Sequence, residues 1–274
     1  MGDHVTSLPI LDNKDPDAPS IFQPAALLRE ARRQKSMALG DVPPICILDP
    51  DGDIVRRLKA LGEAKPSDVW PCYHTELYEF TLAGKTAGIV GCAVGAPFAV
   101  LIAEELFACG CRLLISLTSA GQIHSIASPP YFVVIDRALR DEGTSYHYAA
   151  SAAFAEADPD LVARASSALG ERGLRTHIGS SWTTDAPFRE TAEAVAAARA
   201  KGILAVEMEA AALYTFARKR GKPVLCLAHI TNTMGLADRD FEKGEADGTA
   251  DALSILETLA RALTDGAANR CGSA

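Results

Sequence analysis

The hydrophobic positions of this chain form short continuous apolar runs, which alternate with longer segments where apolar residues recur every three or four positions. Runs such as 44–48 and 224–230 have the length and composition of strands that are buried on both faces. Segments such as 98–109 and 250–263 have the spacing of helices with one apolar face. This alternation predicts an α/β architecture, in which helices cover both faces of a sheet.

The same pattern, read along the chain, predicts a single domain. No internal repeat or linker is visible, so we expect one domain over residues 21–274, preceded by a mobile arm over residues 1–20, which are rich in Asp, Pro and Ser. Gly110 and Gly221 follow helical segments and are typical helix C-caps. The predicted strands are 44–48, 87–90, 113–117, 132–135, 176–178, 204–206 and 224–230; the predicted helices are 22–35, 53–61, 98–109, 159–171, 192–201, 208–219 and 250–263.

Composition and charge narrow the classes of partner. The net charge of −8 leaves no large basic surface for a nucleic acid, and the scattered Lys and Arg residues argue against binding to an anionic membrane. No run of eighteen apolar residues predicts a membrane span. The seven cysteines are odd in number, lie mostly in apolar runs and form no CxxC pair, which favours reduced thiols in a cytoplasmic protein without a metal site.

A pair of glutamates is the most informative local feature. Glu207 and Glu209 directly follow an apolar strand and open an alanine-rich helix. One interpretation is that both stabilise the helix N-terminus, at about 0.3–1 kcal/mol each. The other is that a carboxylate at this position accepts hydrogen bonds from two vicinal hydroxyls, which is what a ribose offers. The local pattern leaves both interpretations open.

Three segments together resemble a known family. AVGAP at 93–97, TSAG at 118–121 and AVEMEAA at 205–211 are similar, in order and spacing, to the signature stretches of the nucleoside phosphorylase family. That family includes hexameric purine nucleoside phosphorylase, uridine phosphorylase and methylthioadenosine nucleosidase. The resemblance extends from about residue 44 to the C-terminal helix.

This resemblance implies a fold, a substrate class and an assembly. The fold would be a single-domain three-layer αβα sandwich with a central mixed, partly barrel-like sheet. The substrate would be a small-molecule nucleoside whose N-glycosidic bond is cleaved, with phosphate as a possible co-substrate and no cofactor. The chain would assemble with itself, as a homodimer or a hexamer of dimers.

The resemblance also implies roles for residues in the matching segments. Glu209 would bind the ribose 2′- and 3′-hydroxyls, with Met208 packed against the sugar and Glu207 beside it. Ser119 would donate to phosphate. Gly95 and Gly121 are the glycines of the other two matching segments, and we expect them to line the substrate site.

The phosphate loop departs from the family pattern. The family has Gly-Asp-Pro followed two residues later by arginine, whereas here the segment is LDPDG at 48–52, and Gly52 stands at the arginine position. Ser116 stands where a second phosphate arginine would fall. The three aspartates Asp49, Asp51 and Asp53 would repel phosphate unless a cation intervened.

Three hypotheses for the function follow from this departure. By family default, the chain cleaves a nucleoside by phosphorolysis. Alternatively it is a nucleosidase, in which Asp51 or Asp53 activates water as general base. A third possibility is a nucleoside-binding protein without catalytic activity. The aspartates also have a purely structural interpretation, in which they cap the helix that follows the strand.

The base site is predicted from a further set of residues. Asn232 stands where the purine-type enzymes carry an aspartate, which favours a base site like that of uridine phosphorylase. Trp182 and Phe188 would stack on the base, and Arg189 would contact a carbonyl oxygen of it.

The polar and aromatic segment 140–148 is predicted to lie near the substrate. Tyr146 or His147 would reach the sugar 5′ end, and Arg140 would partly replace the missing phosphate arginines. His74 stands near the position at which the family sends an arginine into its neighbour's phosphate site.

Overall fold

A computed structural model describes residues 8–234 and 241–264 of the chain. Within these ranges it contains ten strands and seven α-helices. The strands are β1 Ile45–Asp49, β2 Ala64–Pro66, β3 Tyr78–Leu82, β4 Lys85–Gly91, β5 Leu113–Gln122, β6 Tyr131–Asp141, β7 Phe154–Glu156, β8 Thr176–Thr184, β9 Ala205–Glu207 and β10 Val224–Asn232. The helices are α1 Pro24–Lys35, α2 Asp53–Ala60, α3 Ala96–Ala108, α4 Pro159–Glu171, α5 Ala192–Ala200, α6 Ala210–Arg220 and α7 Thr249–Thr264.

The strands form one mixed sheet that is partly closed into a barrel. Its order is β10-β6-β8-β9-β5-β1-β4-β3-β2, and an additional pairing of β10 with β5 closes a ring of five strands. β1, β4, β5 and β10 are parallel neighbours, whereas β9 and β6 run antiparallel to β5 and β10 respectively. The predicted mixed, partly barrel-like sheet is therefore confirmed.

Helices cover both faces of this sheet. One apolar core lies between the sheet and α1, α3 and α6, and the other lies between the sheet and α2, α4 and α7. α6 has no exposed face over most of its length, because Ala210 to Ala217 are all buried. Its Tyr214 hydroxyl donates to the backbone oxygen of Ile135 at 2.6 Å, which ties α6 to β6. This confirms the predicted single-domain three-layer αβα sandwich.

Each strand and helix predicted from the pattern is present, but several strands extend into polar sequence. β8 was predicted over 176–178 and continues to Thr184. Strands β2, β3 and β7 were not predicted, because two have only three residues and β3 alternates buried and partly exposed positions. Gly221 is the C-cap of α6, with φ 61°, as predicted. The helix before Gly110 ends at Ala108, and its C-cap is Cys109 instead of Gly110.

The fold brings the three matching segments together. Gly121 on β5 is paired with Val206 on β9 and with Asn232 on β10. Gly95 ends the turn between β4 and α3 and donates its N–H to the carboxylate of Glu209. No helix within the described residues is long and apolar enough to cross a membrane.

Candidate active site

The Glu209 carboxylate is the centre of the site. The Gly95 N–H donates to Oε1 at 2.7 Å, and Oε2 is buried without a hydrogen-bond partner among the described residues. Gly95 has φ 91°, a conformation that residues with a Cβ rarely adopt, so glycine at this position allows the N–H to point at the carboxylate. A buried acceptor that is only half satisfied is costly on its own, and a ligand hydroxyl would complete it.

Burial also changes the ionisation of Glu209. Its pKa is raised to about 8, first by burial and then by the charge of Glu207, while the Gly95 N–H opposes the shift. Near neutral pH both protonation states of the carboxyl are therefore populated. The ionised form only accepts hydrogen bonds, whereas the protonated form also donates one. Either form can bind a hydroxyl, since a hydroxyl both donates and accepts.

Glu207 has a different role from Glu209. Its carboxylate accepts hydrogen bonds from the N–H groups of Glu209 and Ala210, both at 2.7 Å, and from the hydroxyls of Ser181 and Thr183 at 2.9 and 2.5 Å. With four donors already bound, Glu207 caps α6 and ties it to β8. The capping interpretation thus applies to Glu207. Burial raises the pKa of Glu207 as well, and Met208 between the two glutamates is half-buried.

A second contact in the site joins Asp51 to Ser119. The Ser119 N–H donates to Asp51 Oδ2 at 2.6 Å, and the Ser119 hydroxyl donates to Oδ1 at 2.8 Å. Asp51 lies in the turn between β1 and α2, and Ser119 lies on β5. The carboxylate therefore uses the serine donors that the resemblance assigns to phosphate.

The two other aspartates of this loop have distinct surroundings. Asp49 is 2% exposed and accepts a hydrogen bond from the Val55 N–H at 2.9 Å, so it caps α2. Burial raises the pKa of Asp49 to about 7. Asp53 is ion-paired with both Arg56 and Lys243. Only Asp51 faces the serine of the matching segment, and the capping interpretation applies to Asp49.

Arg56 and Lys243 are site residues that the sequence did not reveal. A Cβ on Gly52 would lie 2.6 Å from the Cys92 sulfur and 2.9 Å from Nη1 of Arg56, so both side chains approach the position at which the family has its loop arginine. The (i, i+3) spacing from Asp53 was the one available signal for Arg56. Lys243 is 190 residues from Asp53, so no local spacing in the sequence predicts their contact. The Ser116 hydroxyl is buried and has no partner within the described residues.

Asn232 and Trp182, two of the residues predicted to bind the base, lie near a further residue, Met234. Asn232 Oδ1 accepts a hydrogen bond from the Met234 N–H at 2.9 Å, and its Nδ2 donates to Thr231 at 3.2 Å. Trp182 is buried and donates from Nε1 to Asp141 at 2.9 Å. A Cβ on Gly121 would lie 2.4 Å from the Met234 sulfur, so the absence of a side chain at Gly121 makes room for this thioether.

The segment 140–148 is held mainly by its own contacts. Arg140 donates to the Ser145 hydroxyl and to the backbone oxygens of Ala149 and Ala150, and its guanidinium stacks 4.5 Å from the Tyr146 ring centroid. The donors of Arg140 are thus directed at its own loop. Tyr146 donates to the Arg140 carbonyl at 3.2 Å. The remaining predicted residues, which are exposed in this chain, are His147, Phe188, Arg189 and His74.

Within residues 8–234 and 241–264, no three His, Cys, Asp or Glu side chains are arranged so that they could hold a metal ion. The site brings together carboxylates, hydroxyls and two cations. The partly closed sheet and this site define an α/β protein with a buried carboxylate, one oxygen of which has no partner among the described residues.

Comparison with known proteins places this architecture in a family. Residues 44–267 match the Phosphorylase superfamily, and the chain belongs to it. A DeoD-type purine nucleoside phosphorylase of Bacillus cereus is 28% identical over 187 residues, which cover 64% of this chain and 77% of that protein.

Solved structures give the same result for the fold. Uridine phosphorylase from Vibrio fischeri superposes with a TM-score of 0.69 at 26% identity, covering 81% of this chain and 95% of that one. Purine nucleoside phosphorylase from Toxoplasma gondii, in complex with immucillin-H, gives a TM-score of 0.68 at 15% identity over 80% and 90% of the two chains. At that identity the second likeness concerns the fold alone.

Proposed function

We propose that this protein cleaves the N-glycosidic bond of a nucleoside. The observation that carries the proposal is the Glu209 carboxylate, with Oε1 fixed by Gly95 and Oε2 buried without a partner among the described residues. A ribose would donate its 2′- and 3′-hydroxyls to this carboxylate, and Met208 would pack against the sugar. Cleavage builds positive charge on the sugar, so hydroxyl contacts that tighten with that charge would lower the barrier.

Phosphate is the first candidate for the nucleophile, because the relatives named above are phosphorylases. Ser119 would donate to the phosphate, and the cations Arg56 and Lys243 would replace the arginines missing from the loop. In this arrangement phosphate would have to displace the Asp51 carboxylate from Ser119.

Water is the second candidate, and the Asp51–Ser119 contact favours it. A carboxylate held by two hydrogen bonds keeps one orientation, as a general base requires. Of the two aspartates considered as base, Asp51 suits this role better, since Asp53 is engaged by two cations. The chain would then be a nucleosidase.

We assign the base to the side of the site formed by Asn232, Trp182 and Met234. The Asn232 amide can exchange hydrogen bonds with a base but cannot protonate it. This favours a base site like that of uridine phosphorylase. Arg189 and Phe188 are exposed in this chain, so a contact with the base would require their movement or a second copy of the chain beside them.

Product analysis would test the proposal. The purified chain would be incubated with a panel of purine and pyrimidine nucleosides, with and without phosphate. Base release that depends on phosphate and yields a sugar 1-phosphate supports phosphorolysis. Base and free ribose without phosphate support hydrolysis. Saturable binding without release of base would reject both and leave a nucleoside-binding protein.

A further inference from the structure

A small cavity lies next to the Asp51–Ser119 contact. It measures about 20 Å³, and its lining combines apolar side chains from α2, β5 and α7 with the aspartates of the loop, Ser119, Lys243 and His229. A polar cavity above about 10–15 Å³ is large enough to hold one water molecule when two or more polar groups face it. This cavity therefore has the size and the lining for one ordered water.

His229 is the least expected member of this lining. It lies on β10, paired in register with Ser119 on β5, and is only 5% exposed. Its Nε2 is buried and has no hydrogen-bond partner among the described residues. A buried polar atom normally finds a partner in protein or in ordered water, so Nε2 requires one.

Packing restrains the imidazole ring on one face and one edge. It stacks on Phe132 with 4.2 Å between ring centroids and 9° between planes. A Cβ on Gly248 would lie 2.3 Å from His229 Cε1, so the backbone of Gly248 closes one edge of the ring. These two contacts limit the rotation of the ring.

Several charged groups face this ring. Burial lowers the pKa of His229 to about 4, and the carboxylates of Asp51, Asp53 and Asp251 oppose the shift while Lys243 adds to it. At neutral pH the imidazole is therefore uncharged and has one N–H to donate. A polar contact of this ring at neutral pH would therefore be a hydrogen bond and not an ion pair.

We propose that His229 is a positioning residue for Asp51, linked to the Asp51 carboxylate through one water molecule in this cavity. Ser119 holds the carboxylate from one side, and His229 would hold it through the water from the other. This arrangement would fix the rotamer of Asp51. The catalytic consequence rests on the proposed function, in which Asp51 adjoins the nucleophile; the hydrogen-bonded link itself does not.

Two substitutions and a matched control test the link. His229→Phe keeps the ring that stacks on Phe132 and removes both nitrogens, whereas His229→Gln restores one N–H near the cavity. His177→Phe is the control, because His177 is a half-buried histidine on β8 that packs edge-on against Tyr131 at 5.3 Å and does not line the cavity. Thermal unfolding would show that each variant is folded.

A high-resolution crystal structure gives a readout that does not depend on turnover. We expect a water within hydrogen-bond distance of both His229 Nε2 and the Asp51 carboxylate, and a changed Asp51 rotamer or a lost water in His229→Phe. A dry cavity, or a water that does not contact both groups, would overturn the proposal whatever the protein catalyses. Absence of nucleoside cleavage by the wild type would reject the proposed function and leave this result standing.

Kinetics give the second readout. If Asp51 activates water, we expect His229→Phe to lower kcat about tenfold and to leave the nucleoside KM within about twofold. His229→Gln should then recover most of the rate, and His177→Phe should match the wild type. Equal losses in the Phe and Gln variants would show that His229 only packs.

Discussion

At the scale of single residues, the two oxygens of Glu209 have unlike surroundings. One is bound to Gly95 and the other is buried without a partner within the described residues. The geometry of the free oxygen is therefore fixed before any ligand arrives. Such preorganisation is what makes hydroxyl contacts useful for catalysis, because no rearrangement is needed when the sugar becomes positively charged.

Glu209→Ala should abolish nucleoside cleavage, with a loss in kcat/KM of about a thousandfold or more, and leave the fold intact. The fold is expected to survive because ionised Glu209 is itself destabilised by burial. Cleavage assays and thermal unfolding would check the two halves of this prediction. Glu209→Gln is the isosteric comparison, since it keeps the volume and one acceptor. Near-normal activity of the alanine variant would falsify the ribose assignment.

Asp51→Asn distinguishes the two candidate nucleophiles. If Asp51 activates water, the rate without phosphate should fall about a hundredfold, because an amide cannot accept the proton. If the nucleophile is phosphate, the same variant should lower the KM for phosphate, because a negative charge that competes for Ser119 is removed. Initial rates over a range of phosphate concentrations would measure both. A variant identical to the wild type in both respects would remove Asp51 from the mechanism.

At the scale of elements, α6 is held at its first residues by a buried carboxylate. Glu207→Ala should leave the hydroxyls of Ser181 and Thr183 and two N–H groups without their acceptor, and we expect a loss of about 2–4 kcal/mol in the free energy of unfolding. Because Glu209 directly follows this cap, activity should fall with stability. Urea denaturation and cleavage assays would measure the two effects.

The matched control for this prediction is Glu193→Ala. Glu193 also lies in the first turn of a helix, α5, but it is exposed, and Thr191 caps that helix. We expect its free energy of unfolding to stay within about 0.5 kcal/mol of the wild type. An equal effect of the two substitutions would mean that Glu207 acts only through the helix dipole.

The order of helices and strands was largely readable from the sequence, for a physical reason. A strand buried on both faces, such as β10, is a continuous apolar run, and a helix on that sheet repeats with its own period. The apolar pattern does not predict β3, because Glu79 interrupts its apolar positions. This strand pairs antiparallel with β4 near one edge of the sheet. The closure of β10 on β5 was implied only by the resemblance, since no local pattern encodes a pairing between distant strands.

The residues of the candidate site also fall into those that the sequence predicts and those that it does not. Glu209, Ser119 and Asn232 lie in segments with recognisable order, and the fold brings those segments together around Gly121. Lys243 and His229 were not predicted, because each approaches the aspartate loop only through the packing of β10 and the segment before α7. Side chains that meet through tertiary contact leave no spacing in the sequence.

At the scale of the whole molecule, the site contains ionisable groups whose charged forms are destabilised by burial in the interior. The net charge of −8 includes several buried acids whose pKa values are raised, among them Asp49 to about 7 and Glu209 to about 8. Both are held in place by a fold that is stabilised elsewhere, in the two apolar cores. The site therefore subtracts from the stability of the molecule, as is common for sites prepared for a ligand.

The pH dependence of unfolding would reveal this cost. Asp49 binds its proton more tightly in the folded state, since its pKa is about 7 and the ordinary value is 3.8. Between these two values the folded chain holds more protons than the unfolded chain, so the contribution of Asp49 to stability falls as pH rises from about 4 to 7. His229, with its pKa lowered to about 4, acts in the opposite direction below pH 6.5.

Asp49→Asn should therefore be more stable than the wild type at pH 8, by up to about 4 kcal/mol, because the pKa difference of about three units corresponds to about 1.4 kcal/mol each. The asparagine oxygen can still accept the Val55 N–H, so the cap of α2 should remain. At pH 4 the advantage should disappear, since Asp49 is then protonated in the folded state. Urea denaturation of both proteins between pH 4 and 8 would measure the difference, with the exposed Asp68→Asn as control. A constant difference across that range would mean that the carboxyl of Asp49 keeps its ordinary acidity in the folded chain.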